Sequence, residues 1–124
     1  MKMKLLVPAF ALAASLVAAA SFADTSSKFQ GNAANTGTVT FSHDGGKNVL
    51  KVSHHFVVPK APAPTWRVVD SKGNMYTLDA FNTKAGEKRQ VTVPAYVHDV
   101  KTVQVYCAFV EVRLGEASFS HPQM

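Results

Sequence analysis

One thiol and five imidazoles are the side chains of this sequence most suited to chemistry. Cys107 is the single cysteine, set in Val103-Gln104-Val105-Tyr106-Cys107-Ala108-Phe109-Val110. A lone thiol can serve as a nucleophile, as a ligand for a soft metal, or as half of a disulfide with another molecule; it cannot close a bridge within its own chain. Strand alternation puts Val103, Val105, Cys107 and Phe109 on one face and Thr102, Gln104, Tyr106 and Ala108 on the other, so the thiol is expected on the apolar face. There a free cysteine packs as a small hydrophobe, and apolar burial raises its pKa. Past Phe109 the apolar alternation slips by one residue to Val110, Val112 and Leu114, which predicts a bulge or bend two residues beyond the thiol.

The histidines offer ligand types without ligand spacing. Leu50, Val52, His54 and Phe56 share one face, which sends His54 inward and His55 outward. Adjacent strand residues do not chelate one ion together. A metal site would need His54 or His55 with Cys107 and with His43, His98 or His121, a soft donor set for copper(I) or zinc. No attachment motif accompanies a histidine and Met75 as haem ligands. The sequence therefore fixes no cofactor; copper, or a haem on a partner, is what these donors would serve. Asp70, Asp79 and Asp99 fall at strand ends, where carboxylates cap backbone amides, and no Gly-x-Ser-x-Gly run is present for hydrolysis. Trp66 opens a strand and reads first as core or a sheet-edge plug. With Tyr76, Phe81 and Tyr96 it would otherwise form an aromatic surface, which makes Trp66 and Tyr96 the candidates for binding.

These residues need a frame. Lys2 and Lys4, the apolar run Leu5 to Ala20 and the small-residue end Ser21-Phe22-Ala23 read as a secretory signal peptide over residues 1–23. The run is too short for a spanning helix, which takes roughly 20 residues, and Pro8 interrupts it. The mature chain is expected in the periplasm or outside the cell, with no stable membrane insertion. Loss of Lys2 and Lys4 lowers the formal net charge from +5 to +3. The remaining bases form no stripe interleaved with aromatics, so a nucleic-acid partner is not supported. Residues 24–28 read as a loose leader, 29–120 as one β domain and 121–124 as a tail.

Within that domain apolar residues alternate in short runs between turn-formers, the pattern of an all-β fold. Gly37 to Ser42 and Asn48 to Val58 flank a Gly45-Gly46 reversal; Thr65 to Asp70 and Met75 to Phe81 flank Ser71-Lys72-Gly73-Asn74. Thr83 to Lys88 reads as a polar loop, and Arg89 to Val93 as a short strand stopped by Pro94. Thr102 to Ala108 and Val110 to Leu114 form the last pair, with a single helical turn expected near 95–100. Lys60-Ala61-Pro62-Ala63-Pro64 is a stiff crossover. The expectation is an antiparallel β-sandwich of seven to eight short strands.

The C-terminal half resembles a known family. Val91-Thr92-Val93-Pro94-Ala95-Tyr96-Val97-His98-Asp99-Val100, then Val103 to Cys107, Phe109, Val112, Gly115 and Ala117, is similar to the closing signature of the DM-thirteen domain family, labelled an electron-transfer domain. The opening hairpin and Pro64 to Asp70 also fit, although Pro64-Thr65-Trp66 stands where the family tends to have Pro-Asp-Leu. The resemblance implies a compact exported β domain, sometimes found beside haem-binding domains, with Cys107 as the redox residue and Tyr106 as its neighbour.

Two functions follow from different classes. One is an exported, non-enzymatic redox module whose Cys107 works with a redox or surface protein partner. The other is a binding or adhesion module for protein or glycan, in which Cys107 only packs.

Overall fold

The structure, a computed structural model, describes residues 24–124; the expected signal peptide, residues 1–23, lies outside the described residues. The fold is all-β. Its strands are β1 (Asp24–Thr25), β2 (Val39–Asp44), β3 (Lys47–Val52), β4 (Pro64–Val69), β5 (Met75–Ala80), β6 (Asn82–Thr83), β7 (Gly86–Glu87), β8 (Gln90–Val93), β9 (Val100–Cys107) and β10 (Val112–Gln123). Two four-stranded antiparallel sheets, ordered β1-β2-β3-β8 and β10-β9-β4-β5, pack face to face, and β6-β7 forms a small separate ribbon.

Alternation decides which side chains meet between the sheets. Val39 and Phe41 from β2, Leu50 and Val52 from β3, and Val91 and Val93 from β8 line one wall. Trp66 and Val68, Val103 and Val105, and Ala117 and Phe119 line the other. The aromatic centre is a stack: Trp66 lies 4.6 Å from Phe81 with planes 15° apart, and Phe81 lies 5.4 Å from Phe56. The Trp66 indole N–H, which could not be buried unpaired at low cost, donates to the Lys88 carbonyl at 2.9 Å.

The β2–β3 reversal is a two-residue turn in which Asp44 faces Lys47, while Gly45 and Gly46 take φ of 58° and 81°. Only glycine holds both positions without strain, and such turns suit the twist of a hairpin.

Several expectations need correction. Residues 24–28 are not a loose leader. Asp24 and Thr25 pair with Phe41 and Thr40, and the Ser26 hydroxyl accepts from Val39 N–H at 2.9 Å. The chain then crosses to the other sheet, where Gln30 bridges Glu116 and the Ala34 N–H donates to the Leu114 carbonyl. This segment ties the two sheets together and covers the β10 edge. Residues 121–123 are likewise part of β10 and not a free tail; the Gln123 amide donates to the Asp24 carboxylate at 2.6 Å. Near 95–100 there is no helix, only a turn in which Val97 N–H donates to the Pro94 carbonyl. The strand expected through Val58 stops at Val52: Ser53 N–H still donates to the Thr38 carbonyl opposite it, but its own carbonyl accepts from Phe56 N–H at 3.1 Å and closes a turn over 53–56. The polar loop around 83–88 contains the β6-β7 ribbon.

Candidate functional site

The frame has two working ends. At one lie the β2–β3 turn, the β4–β5 turn and the β8–β9 loop, residues 94–99; at the other lie the 108–111 turn and the proline-marked crossover. Cys107 ends β9, whose start abuts the 94–99 loop. At about 3.3 Å per residue the seven steps from Val100 to Cys107 span roughly 23 Å, so the thiol and the loop end cannot share one reaction.

Cys107 is sealed, with 1% of its surface exposed. It points between the sheets as alternation requires, with Val103 and Val105. Tyr106 is on the opposite face, where the Arg67 guanidinium sits 3.8 Å over its ring. The thiol's pKa runs against the expectation from apolar burial. Backbone N–H groups of Val110 above all, and of Ala63 and Phe109, bond the sulfur and draw its pKa below the ordinary thiol value, with desolvation opposing them. Amides, not neighbouring charges, set the shift.

Phe109 does not continue the inner face. Ala108 to Glu111 forms a turn closed by Glu111 N–H to the Cys107 carbonyl at 2.7 Å, with Glu111 at φ 57°. Phe109 is 74% exposed, and Val110 and Val112 are also out in solvent. The expected phase slip exists three residues further along than the turn. Leu114 is the extra residue, since Arg113 faces Tyr106 and Gly115 faces Val105. The slip restores Gly115, Ala117 and Phe119 to the inside and does not open a path to the thiol.

His54 does not look inward. With the strand ended at Val52, His54 and His55 occupy an exposed turn, their rings 5.7 Å apart edge to face. Among the described residues no three His, Cys, Asp or Glu side chains are grouped to hold a metal. Trp66 is fully buried and contributes to no binding surface. The expected aromatic surface is divided: Trp66 and Phe81 went to the core, while Tyr76 and Tyr96 meet outside, ring centroids 6.0 Å apart.

That outer pair marks the best-formed polar site. Asp70, Lys72, Asn74, Tyr76, Tyr96, His98 and Asp99 line a cleft of about 410 Å³. Its floor is preorganised by Asp70. One carboxylate oxygen accepts from Lys72 N–H at 2.9 Å and Asn74 N–H at 2.8 Å, the other from the Asn74 amide and the Tyr76 hydroxyl, each at 3.0 Å. The Asn74 side-chain bond is the largest cause holding the Asp70 pKa down to about 2, against a partial opposing effect of burial. The same contact from Asp70 raises the Tyr76 pKa above its ordinary value. Asp99 joins the two loops by accepting Ser71 N–H at 2.7 Å and the Ser71 hydroxyl at 2.8 Å. Tyr96, 64% exposed, rises at the rim. A second cleft of about 580 Å³, lined by Lys47, Asn48, Thr92 and Pro94 among others, lies on the far side of the loop, and His98 lines both.

The class these features define is an antiparallel β-sandwich with a loop-borne polar cleft at one end and a shielded thiol at the other. Models of known protein families, curated proteins and solved structures were all compared with this chain, and none matches it.

Of this site the sequence points to the Tyr76–Tyr96 pair, as part of the aromatic surface. It does not show that Asn74, His98 and Asp99 converge with that pair; the turn signals at Ser71-Lys72-Gly73-Asn74 and Pro94-Ala95 hint only that loops lie there.

Proposed function

We propose that this chain is an exported, non-enzymatic binding module that uses its loop end to contact a protein or glycan, with Cys107 serving as core packing. The observation that carries this reading is the contrast between the two ends: Tyr96 stands exposed over a hydrogen-bonded cleft, whereas the sulfur is sealed. Loops on a rigid sandwich are where binding residues concentrate, because the frame fixes their position while the sequence of the loop is free to vary. A periplasmic or extracellular setting accords with the basic, apolar, small-residue order of residues 1–23.

The test is amide shift mapping of the isotope-labelled protein against a panel of peptides and oligosaccharides. Perturbations gathered at Lys72, Tyr96, His98 and Asp99, and lost in Tyr96→Ala but kept in Cys107→Ser, support the module. Ligands that perturb only residues around Cys107 would overturn it.

The lowered thiol pKa favours a second reading, the redox one that the DM-thirteen resemblance implies. Opening of the 108–111 turn would let the Cys107 thiolate attack a disulfide of a partner protein. A mixed disulfide forms, the partner's S–S bond breaks, and its second sulfur leaves as thiolate. The exposed Phe109 and Val110 would be the first residues such a partner meets.

A further inference from the structure

We infer that the loop-end clefts take a neutral oligosaccharide, with one sugar ring laid on Tyr96 and the chain running past His98 into the second cleft. This rests on the binding-module reading and names its ligand class.

The hydrogen-bonding capacity left in the cleft is specific. A carboxylate has about four lone-pair sites. Asp70 uses four on Lys72, Asn74 and Tyr76, so it is structural and has nothing left for a ligand. Asp99 uses two on Ser71 and keeps the remainder. The exposed Lys72 ammonium adds donors, and the exposed His98 imidazole adds a donor and an acceptor. Such a mixed set suits hydroxyl groups, each of which both donates and accepts.

Tyr96 supplies the other half of sugar recognition. Its ring is exposed and is buttressed by Tyr76, which is itself fixed through its hydroxyl to Asp70. The weakly polarised C–H face of a pyranose packs against the electron-rich face of an aromatic ring. The cleft volume lies within the range of small-ligand sites.

Charge gives acidic saccharides no advantage. Asp70 and Asp99 in this cleft are offset by Lys72 beside them and by Lys47 in the next, so the formal charges cancel and nothing draws uronate or sulfated sugars ahead of neutral ones. His98 also lines the neighbouring cleft with Lys47, Asn48 and Thr92. Because they share His98, the two clefts together offer a longer track than either alone.

The experiment is amide shift titration of the purified protein with cellotetraose, chitotetraose, mannotetraose and tetragalacturonate, repeated on Tyr96→Ala and His98→Ala. The expected result is saturable perturbation by at least one neutral tetraose at Lys47, Asn48, Lys72, Tyr96, His98 and Asp99. Tyr96→Ala should weaken it tenfold or more and His98→Ala severalfold, with spectra otherwise folded, and tetragalacturonate should bind no more tightly than the best neutral tetraose. Silence to all neutral tetraoses at millimolar concentration, or undiminished binding by Tyr96→Ala, overturns the inference. If peptides map to these residues and sugars do not, the carbohydrate assignment falls and the binding module stands; if neither does, both fall.

Discussion

The Tyr76 hydroxyl donates to Asp70 at 3.0 Å, and through that bond the exposed aromatic pair is anchored to the turn beneath it. Asp70 is the hub of the loop end: it organises its own turn, fixes Tyr76, and stands beside the Asp99 bridge to the next loop.

This hub has a pH signature. The Asp70 carboxyl is held at about 2, first by the Asn74 side chain, against an ordinary 3.8. Because the folded value is the lower one, the carboxylate stabilises the fold above about 3.8, and that contribution is lost as pH falls from there through the folded value. Tyr76 is shifted the other way, so its contribution is complete below pH 10.0 and is lost on raising pH beyond it. Urea midpoints followed by circular dichroism should fall across both windows. Asp70→Asn should flatten the acid limb and Tyr76→Phe the alkaline one; unchanged slopes would show that Asp70 is not the hub.

The buried stack of Trp66 on Phe81 predicts a large truncation cost. Phe81→Ala removes a fully buried ring between Trp66 and Phe56, so it should cost about 3–5 kcal/mol in urea denaturation. It should also raise the exposure of Trp66, seen as a red shift of its fluorescence. A cost below about 1 kcal/mol would mean the site collapses freely.

Gly115 is required for a different reason. A methyl there would overlap the Ala34 carbonyl and lie 2.8 Å from the Ala34 Cβ, and one on Gly31 would overlap the Gly115 backbone. Gly115→Ala should therefore pry the N-terminal crossing from β10, at a cost of about 1–3 kcal/mol, and speed hydrogen exchange at Ala33 and Ala34. Exchange there at the wild-type rate would contradict the close approach.

The sandwich was readable in the sequence because alternation and turn glycines are local signals: Phe41 faces Leu50 across a Gly45-Gly46 turn as expected. What escaped were features set by distant partners. Residues 24–28 carry no strand pattern and are ordered by pairing with β2 and hydrogen bonds to β10. Alternation extended past Ser53 sends His54 inward, but the turn closed by Phe56 N–H on the Ser53 carbonyl ends the alternation there. Phe109 reads as core-facing because a turn rich in apolar residues has the pattern of a strand, yet it is exposed. The rise or fall of the Cys107 pKa was also out of reach, since the amides that lower it come from the turn and from Ala63 on the crossover. The cleft is legible only as the Tyr76–Tyr96 pair, because Asn74, His98 and Asp99 approach through tertiary pairing of β4 with β9.

Removing the thiol separates packing from chemistry. Cys107→Ala and Cys107→Ser should each cost about 1–3 kcal/mol while leaving ligand perturbations at Tyr96 and His98 intact. Unchanged stability with lost binding would reverse the roles assigned to the two ends.

The most direct measurement is the reactivity of Cys107 toward a thiol reagent in the folded protein at neutral pH, compared with the same protein in denaturant. A packing thiol, sealed between the sheets under the 108–111 turn, labels only once the fold is opened. Stoichiometric labelling of the native protein at the rate of an exposed thiol would contradict the account and move the function to Cys107.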